Sequence, residues 1–225
     1  NVYEYQSENN NSKYSFMNIA IPLPSDLVVI SVLPPANGIA GQPVSIDYTI
    51  KNIGTYPATG VMKDGVYLSK DSVWDISDQL IGIKSGVINL APNGQVVRNV
   101  TTQITGVSTG YYKVIVRTDL LNNIIEANDA NNSKASTDSI HIDLKQLPLN
   151  LLTPDTLKNN TYLYYRIQIP DSLAGETLLV TLKGDSLHAS NEIYAKFGSV
   201  PSRSIYDFNY GTIAGANQEV LVPSM

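Results

Sequence analysis

Between residues 44 and 51 apolar and polar side chains alternate without a break, with Val44, Ile46, Tyr48 and Ile50 on one parity and Ser45, Asp47, Thr49 and Lys51 on the other. A period of two is what a strand with one buried and one wet face requires, because successive side chains leave the backbone on opposite sides. Shorter runs of the same kind recur, cut by turn residues. Leu27 to Leu33 is apolar and stops at Pro34-Pro35, and Gly65 to Leu68 and Leu80 to Ile83 follow. Gln95 to Ile104 comes after the turn Pro92-Asn93-Gly94, Tyr112, Val114 and Val116 alternate with Lys113, Ile115 and Arg117, and Ile140 to Leu144 closes the set. No segment keeps a helical period beyond one or two turns. About seven strands in about 120 residues predict an all-β chain built on an immunoglobulin-like antiparallel β-sandwich.

After Lys145 to Pro154, a linker holding Pro148 and Pro154, the rhythm restarts. Leu163, Tyr165, Ile167 and Ile169 form one alternating run; Leu178, Val180 and Leu182 the next; then Ile193, Ala195 and Phe197; and lastly Gln218 to Val222. These predict a second, smaller, jelly-roll-like β-sandwich, incomplete at its C-terminus. The chain also repeats itself. Val2-Tyr3-Glu4 and Asn9-Asn10-Asn11-Ser12-Lys13 return as Ile124-Ile125-Glu126 and Asn131-Asn132-Ser133-Lys134, with Glu4 and Glu126 122 residues apart (126 − 4). A period this long suits tandem whole domains, since solenoid repeats run roughly 20–50 residues. The expected organisation is a remnant of a preceding repeat over 1–24, a complete sandwich over 25–146 and the smaller sandwich over 147–225.

Charge narrows the function classes. Of 225 residues 16% are charged, the net charge is −5, and there is no basic cluster of the kind a phosphate backbone needs. Cysteine is absent, which excludes disulfides and thiolate metal sites. No apolar run reaches the roughly 20 residues of a membrane-spanning helix.

Catalysis is not expected. The two histidines, His141 on a strand edge and His188 in a polar loop, lie in no zinc motif, and there is no Gly-x-Ser-x-Gly elbow. Asp185 and Glu192 could imitate a glycosidase pair, but they fall in a turn-rich loop where a solvated-turn role suits them better. The reading calls for no cofactor, and Ca²⁺ is the one candidate ion. Asp71, Asp75 and Asp78 put three carboxylates within eight residues, a source of the six to eight oxygens that Ca²⁺ takes. The alternative is turn chemistry, in which each carboxylate bonds nearby amides. Asp119 and Glu126, with Asn122 and Asn123 between them, make a second oxygen-rich loop. Among the 14 tyrosines, Tyr194, Tyr206 and Tyr210 gather late in the chain. They could form a stacking surface for a sugar or a partner, or pair across strands. Trp74 is expected to plug a sandwich end.

The segments Asp26-Leu27-Val28-Val29, Gly41-Gln42-Pro43-Val44, Tyr48 to Gly54, Val66 to Asp71, Gly110-Tyr111-Tyr112 and Asp119 to Asn132 resemble the CARDB family, a cell-adhesion-related domain of bacterial and archaeal surface proteins. The resemblance implies a non-catalytic immunoglobulin-like module with a surface or spacer role. Tyr164-Tyr165-Arg166-Ile167, Leu178 to Leu182, Ile193 to Pro201 and Tyr206-Asp207 resemble the bacterial pre-peptidase C-terminal domain, a small β-sandwich appended to secreted hydrolases and surface proteins. Together they imply an extracellular or cell-surface adhesion, spacer or presentation unit. Its partners would be neighbouring domains of the same polypeptide and surface glycans or proteins, with no nucleic acid and no membrane insertion. The alternative is a carbohydrate-binding accessory module of a secreted hydrolase. An exposed sheet edge, able to pair with another chain, is also expected.

Overall fold

A computed structural model describes residues 23–184, 189–211 and 215–223. Residues 1–22 of the proposed remnant over 1–24, together with Asp185 and His188, lie outside the described residues. Between Leu27 and Asp143 eight strands form two facing sheets: β1 (Leu27–Leu33), β2 (Asn37–Ile39), β3 (Pro43–Asn52), β4 (Ala58–Ser69), β5 (Gln79–Leu90), β6 (Gln95–Gln103), β7 (Gly110–Arg117) and β8 (Ser133–Asp143). The smaller sheet has the order β1-β3-β6 and the larger β2-β8-β7-β4-β5. All pairings are antiparallel except β2 with β8, which is parallel and sets Asn37, Gly38 and Ile39 against His141, Ile142 and Asp143.

The alternation in β3 does what the sequence asks of it: Val44, Ile46, Tyr48 and Ile50 are buried between the sheets. They meet Met62 and Val66 of β4, Val114 and Val116 of β7, and Ile140 and Ile142 of β8 in one apolar core. In β1 a bulge between Val29 and Ser31 resets the parity, so that Val29 and Val32 both point inward while Ile30 is exposed. β4 and β5 form one hairpin of 12 residues per strand, where the sequence suggested two short strands. Gly82, inside the predicted run from Leu80 to Ile83, serves close packing. A Cβ on Gly82 would lie 2.7 Å from Val100 Cγ1 in the opposing sheet. β8 is likewise longer than expected, because Ser133 to Ala135 pair with β7 without an apolar pattern to announce it.

Beyond β8 the described residues form three two-stranded pairings. These are β9 (Lys145–Gln146) with β10 (Tyr165–Arg166), β11 (Leu178–Leu182) with β14 (Gln218–Val222), and β12 (Tyr194–Ala195) with β13 (Phe208–Asn209). The β11 and β14 limits coincide with the alternating runs, whereas the run from Leu163 to Ile169 yields only two strand residues. No helix among the described residues is long and apolar enough to cross a membrane.

Candidate functional site

The sandwich has two chemically different ends. At the leading end the chain comes in at Ser25, whose amide donates to Ile125 O at 2.9 Å and whose carbonyl accepts from Ala127 N at 2.7 Å. Fully buried Asn52 joins three strands there. Its Oδ1 accepts from Asp26 N and Gly54 N, and its Nδ2 donates to Tyr56 O and Leu90 O at 2.7 and 3.0 Å. At the trailing end β8 leaves beside Ala40, whose amide donates to Asp143 O at 2.9 Å. The following segment folds back onto that end. Gln103 Nε2 donates to Tyr162 O at 3.0 Å, Gly106 N donates to the Tyr164 hydroxyl at 3.1 Å, and the Tyr164 ring rests on the core.

The loop between β4 and β5 carries Asp71, Asp75 and Asp78, which border a cavity of about 290 Å³ with Lys70, Gln79 and Tyr112. Each carboxylate already makes a turn. Asp71 Oδ1 accepts from Val73 N at 2.8 Å, Asp75 Oδ1 from Ser77 N and Oγ at 2.7 and 2.6 Å, and Asp78 Oδ2 from Asp75 N at 3.0 Å. The Ser77 hydroxyl and amide hold the Asp75 carboxyl below its usual range. Three oxygens, Asp71 Oδ2, Asp75 Oδ2 and Asp78 Oδ1, take no such bond. Trp74 does not plug a sandwich end. It lies edge-on to Tyr67 at 6.0 Å with the Arg117 guanidinium 3.7 Å from its ring, and Tyr67 is buried outside the main core.

Asp119 and Glu126 sit at the leading end, fully occupied by donors. Asp119, buried and with φ +45°, accepts from Asn123 N at 3.2 Å and Ile124 N at 2.8 Å. Glu126 accepts from Leu27 N at 2.6 Å through Oε2 and from Asn132 Nδ2 at 2.9 Å through Oε1. Burial pushes the Glu126 carboxyl up to about 7, against those two bonds, with Asp119 and Asp129 adding to the rise. Among the described residues no three His, Cys, Asp or Glu side chains converge closely enough to hold a metal ion.

The late tyrosines do come together. The Tyr194 ring lies 5.1 Å from Tyr206 at 45° and 5.7 Å from Tyr210 at 82°. Its hydroxyl donates to Glu192 Oε2 at 3.1 Å, and Arg203 Nε reaches the same oxygen at 2.7 Å. Burial and then the Glu192 bond push the Tyr194 hydroxyl up to about 12. The rings are inclined to each other, so they make a faceted cluster with a charged rim and no flat platform.

Asp64 and Arg98 are the polar residues that the sequence reading passed over. Asp64 is fully buried between the sheets and accepts from the Tyr48 hydroxyl and the Thr118 hydroxyl, both at 2.7 Å. Arg98 Nη1 approaches the same carboxylate at 3.2 Å, near enough for an ion pair though not aligned as a hydrogen bond. Burial, and then the Asp64 charge, push the Tyr48 hydroxyl far above its usual range. The strand alternation held the signal, since Asp64 shares the parity of Met62 and Val66, and Arg98 that of Val96 and Val100. His141 lies near the end of β8, which runs between β2 and β7, and its ring lies against Tyr111 at 4.6 Å.

The profile of the CARDB family matches residues 24–136, half of the 225-residue chain. Among solved structures, a CARDB domain from Pyrococcus furiosus, determined in complex with di-metal ions, is 19% identical over 59% of this chain and 100% of its own, with a TM-score of 0.39. A domain of a candidate cell surface protein from Methanosarcina acetivorans is 20% identical over 53% of this chain and 93% of its own, with a TM-score of 0.38. A beta-glucosidase from Listeria innocua, in complex with gluconolactone, is 16% identical over 60% of this chain and 20% of the enzyme, with a TM-score of 0.35. No curated protein matches the chain.

Proposed function

The chain belongs to the CARDB family, whose profile spans residues 24–136, and on that footing we propose that it is a non-catalytic spacer of a secreted or cell-surface protein. It holds neighbouring parts of the same polypeptide a fixed distance apart. The observation that carries this reading is the polarity of the sandwich: the chain comes in at Ser25 and leaves after Asp143 at the opposite end, and both ends are hydrogen-bonded in place. A module built this way adds its whole length to the path of the chain. The docking of Tyr162 and Tyr164 onto the trailing end shortens the free linker and restricts swing. The tandem copy over 1–24 and a pre-peptidase-like unit over 147–225 belong to the same proposal, as units placed in series.

The test is replacement in the parent protein. An unrelated sandwich of equal length in place of residues 25–146 keeps surface display and function of the parent, whereas a Gly/Ser chain loses them. Loss with both replacements would mean that this sandwich makes a specific contact, and the spacer reading would fall. Surface location is read from antibody labelling of intact cells.

Two ligand readings accompany it. Binding of a surface glycan at Tyr194, Tyr206 and Tyr210 is supported by their gathering beside Glu192 and Arg203, not by a flat stacking face, since the rings are inclined. Calorimetric titration with soluble glycans tests it, with Tyr194→Ala as the variant that loses the signal. Calcium at Asp71, Asp75 and Asp78 is supported by the three oxygens left over from the turn bonds, and the three carboxylates would have to draw closer together to hold it. At Asp119 and Glu126 the ion would have to compete with four donors. Melting in EDTA and then in about 5 mM Ca²⁺ raises the midpoint if the ion binds the folded state; an unchanged midpoint removes calcium from the account.

A further inference from the structure

We propose that the sandwich is a force-bearing module whose resistance resides in strands loaded in shear: β2 against β8, β1 against β3, and Ser25 against Ile125 to Ala127. This deepens the in-series reading and rests on it for its biological use. The argument is one of direction. β1 and β2 run from the leading end to the trailing end, and so does β8, as the parallel register Asn37 with His141 to Ile39 with Asp143 requires. Tension on the chain therefore draws β1 and β2 back toward the leading end and β8 forward past the trailing end. The two pulls are opposed along strands that lie side by side.

The bonds between these strands lie across that line. His141 N donates to Ala36 O and Ala40 N to Asp143 O, both at 2.9 Å, and they bracket the β2–β8 register. β1 is held to β3 from Leu27 with Asn52 to Leu33 with Asp47. At the leading end Ser25 and Glu126 form a second parallel bridge, and Leu27 N donates to Glu126 Oε2 at 2.6 Å. Bonds between antiparallel strands stand perpendicular to the strand axis and those between parallel strands slant across it, so a load along the strands bears on each set together. The same load applied at one end of a strand pair would open bonds one after another. Bonds that share a load give way at a higher force than bonds taken singly.

The chain has no cysteine, so pulling points can be set by single substitutions at exposed positions. Force spectroscopy on the full chain carrying Leu23→Cys and Gln146→Cys pulls from opposite ends. Leu23→Cys with Gln95→Cys pulls from two points at the leading end. Urea unfolding of both variants establishes first that they fold with equal stability. Forced unfolding reports the barrier along the pulled coordinate, and the end-to-end pair should require about twofold more force, or greater, at the same pulling speed. Equal forces in the two geometries, or a lower force end to end, would overturn the clamp. The outcome is independent of the replacement experiment: directional resistance together with failed replacement leaves the clamp and removes the spacer reading, and the reverse result does the opposite.

Discussion

At the scale of single residues, the most consequential group is Asp64. A carboxylate buried between the sheets is tolerated because Tyr48, Thr118 and Arg98 surround it. Asp64→Ala leaves Arg98 charged between the sheets and should cost about 3–5 kcal/mol in urea unfolding, while replacing both partners by apolar residues should cost much less. Glu126 gives a second prediction. Its folded value of about 7 lies above the ordinary 4.5, so the folded protein holds this proton more tightly. Its contribution to stability is therefore complete below about pH 4.5 and is lost as pH rises through 7. Once protonated, Glu126 can donate to Asn132 Oδ1, a buried oxygen without a partner, if that amide turns. Solvent screening reduces the effect to about 1–2 kcal/mol across that window, and Glu126→Gln should flatten the pH dependence seen by urea unfolding. The parity of Asp64 and Arg98 was legible in the sequence. The burial of Glu126 was not, because it depends on Leu27 and Asn132 arriving from two other segments.

At the scale of elements, what was legible is what local pattern controls. The alternation of β3 and the runs of β11 and β14 announce their strands residue by residue. The full length of β4 and β5 was hidden, because the apolar pattern lapses after Ile83 at Lys84-Ser85-Gly86, where the pairing with β4 continues. The docking of the segment after β8 was hidden because it depends on a close backbone approach. It hangs on Gly41, held at φ +85°, where a Cβ would lie 2.9 Å from the Tyr162 carbonyl oxygen. Gly41→Ala introduces both backbone strain and that contact. It should release the Tyr162–Tyr164 segment, speed amide exchange at Gly106, and cost about 1–2 kcal/mol. An unchanged Gly106 exchange rate would mean that the docking does not depend on this close approach. Trp74 shows the limit of element-level reading: the loop that carries it lies against Tyr67 and Arg117 because β4 and β7 place those two side chains together.

At the scale of the whole molecule, the all-β character and the family were legible from strand rhythm and motif. The relation between the two ends was not, since it follows from the parallel pairing of β2 with β8, more than 100 residues apart in the sequence. The three late tyrosines were legible as a group, and the structure gathers them; their mutual tilt was not. The central claim is that the sandwich separates its incoming and outgoing chain by a fixed length. Spin labels at Leu23→Cys and Gln146→Cys measure that length directly by dipolar spectroscopy. With strands rising about 3.3 Å per residue, the account predicts a single narrow distance on the order of 40 Å. A broad distribution, or a distance under about 25 Å, would contradict a rigid module with its ends at opposite poles.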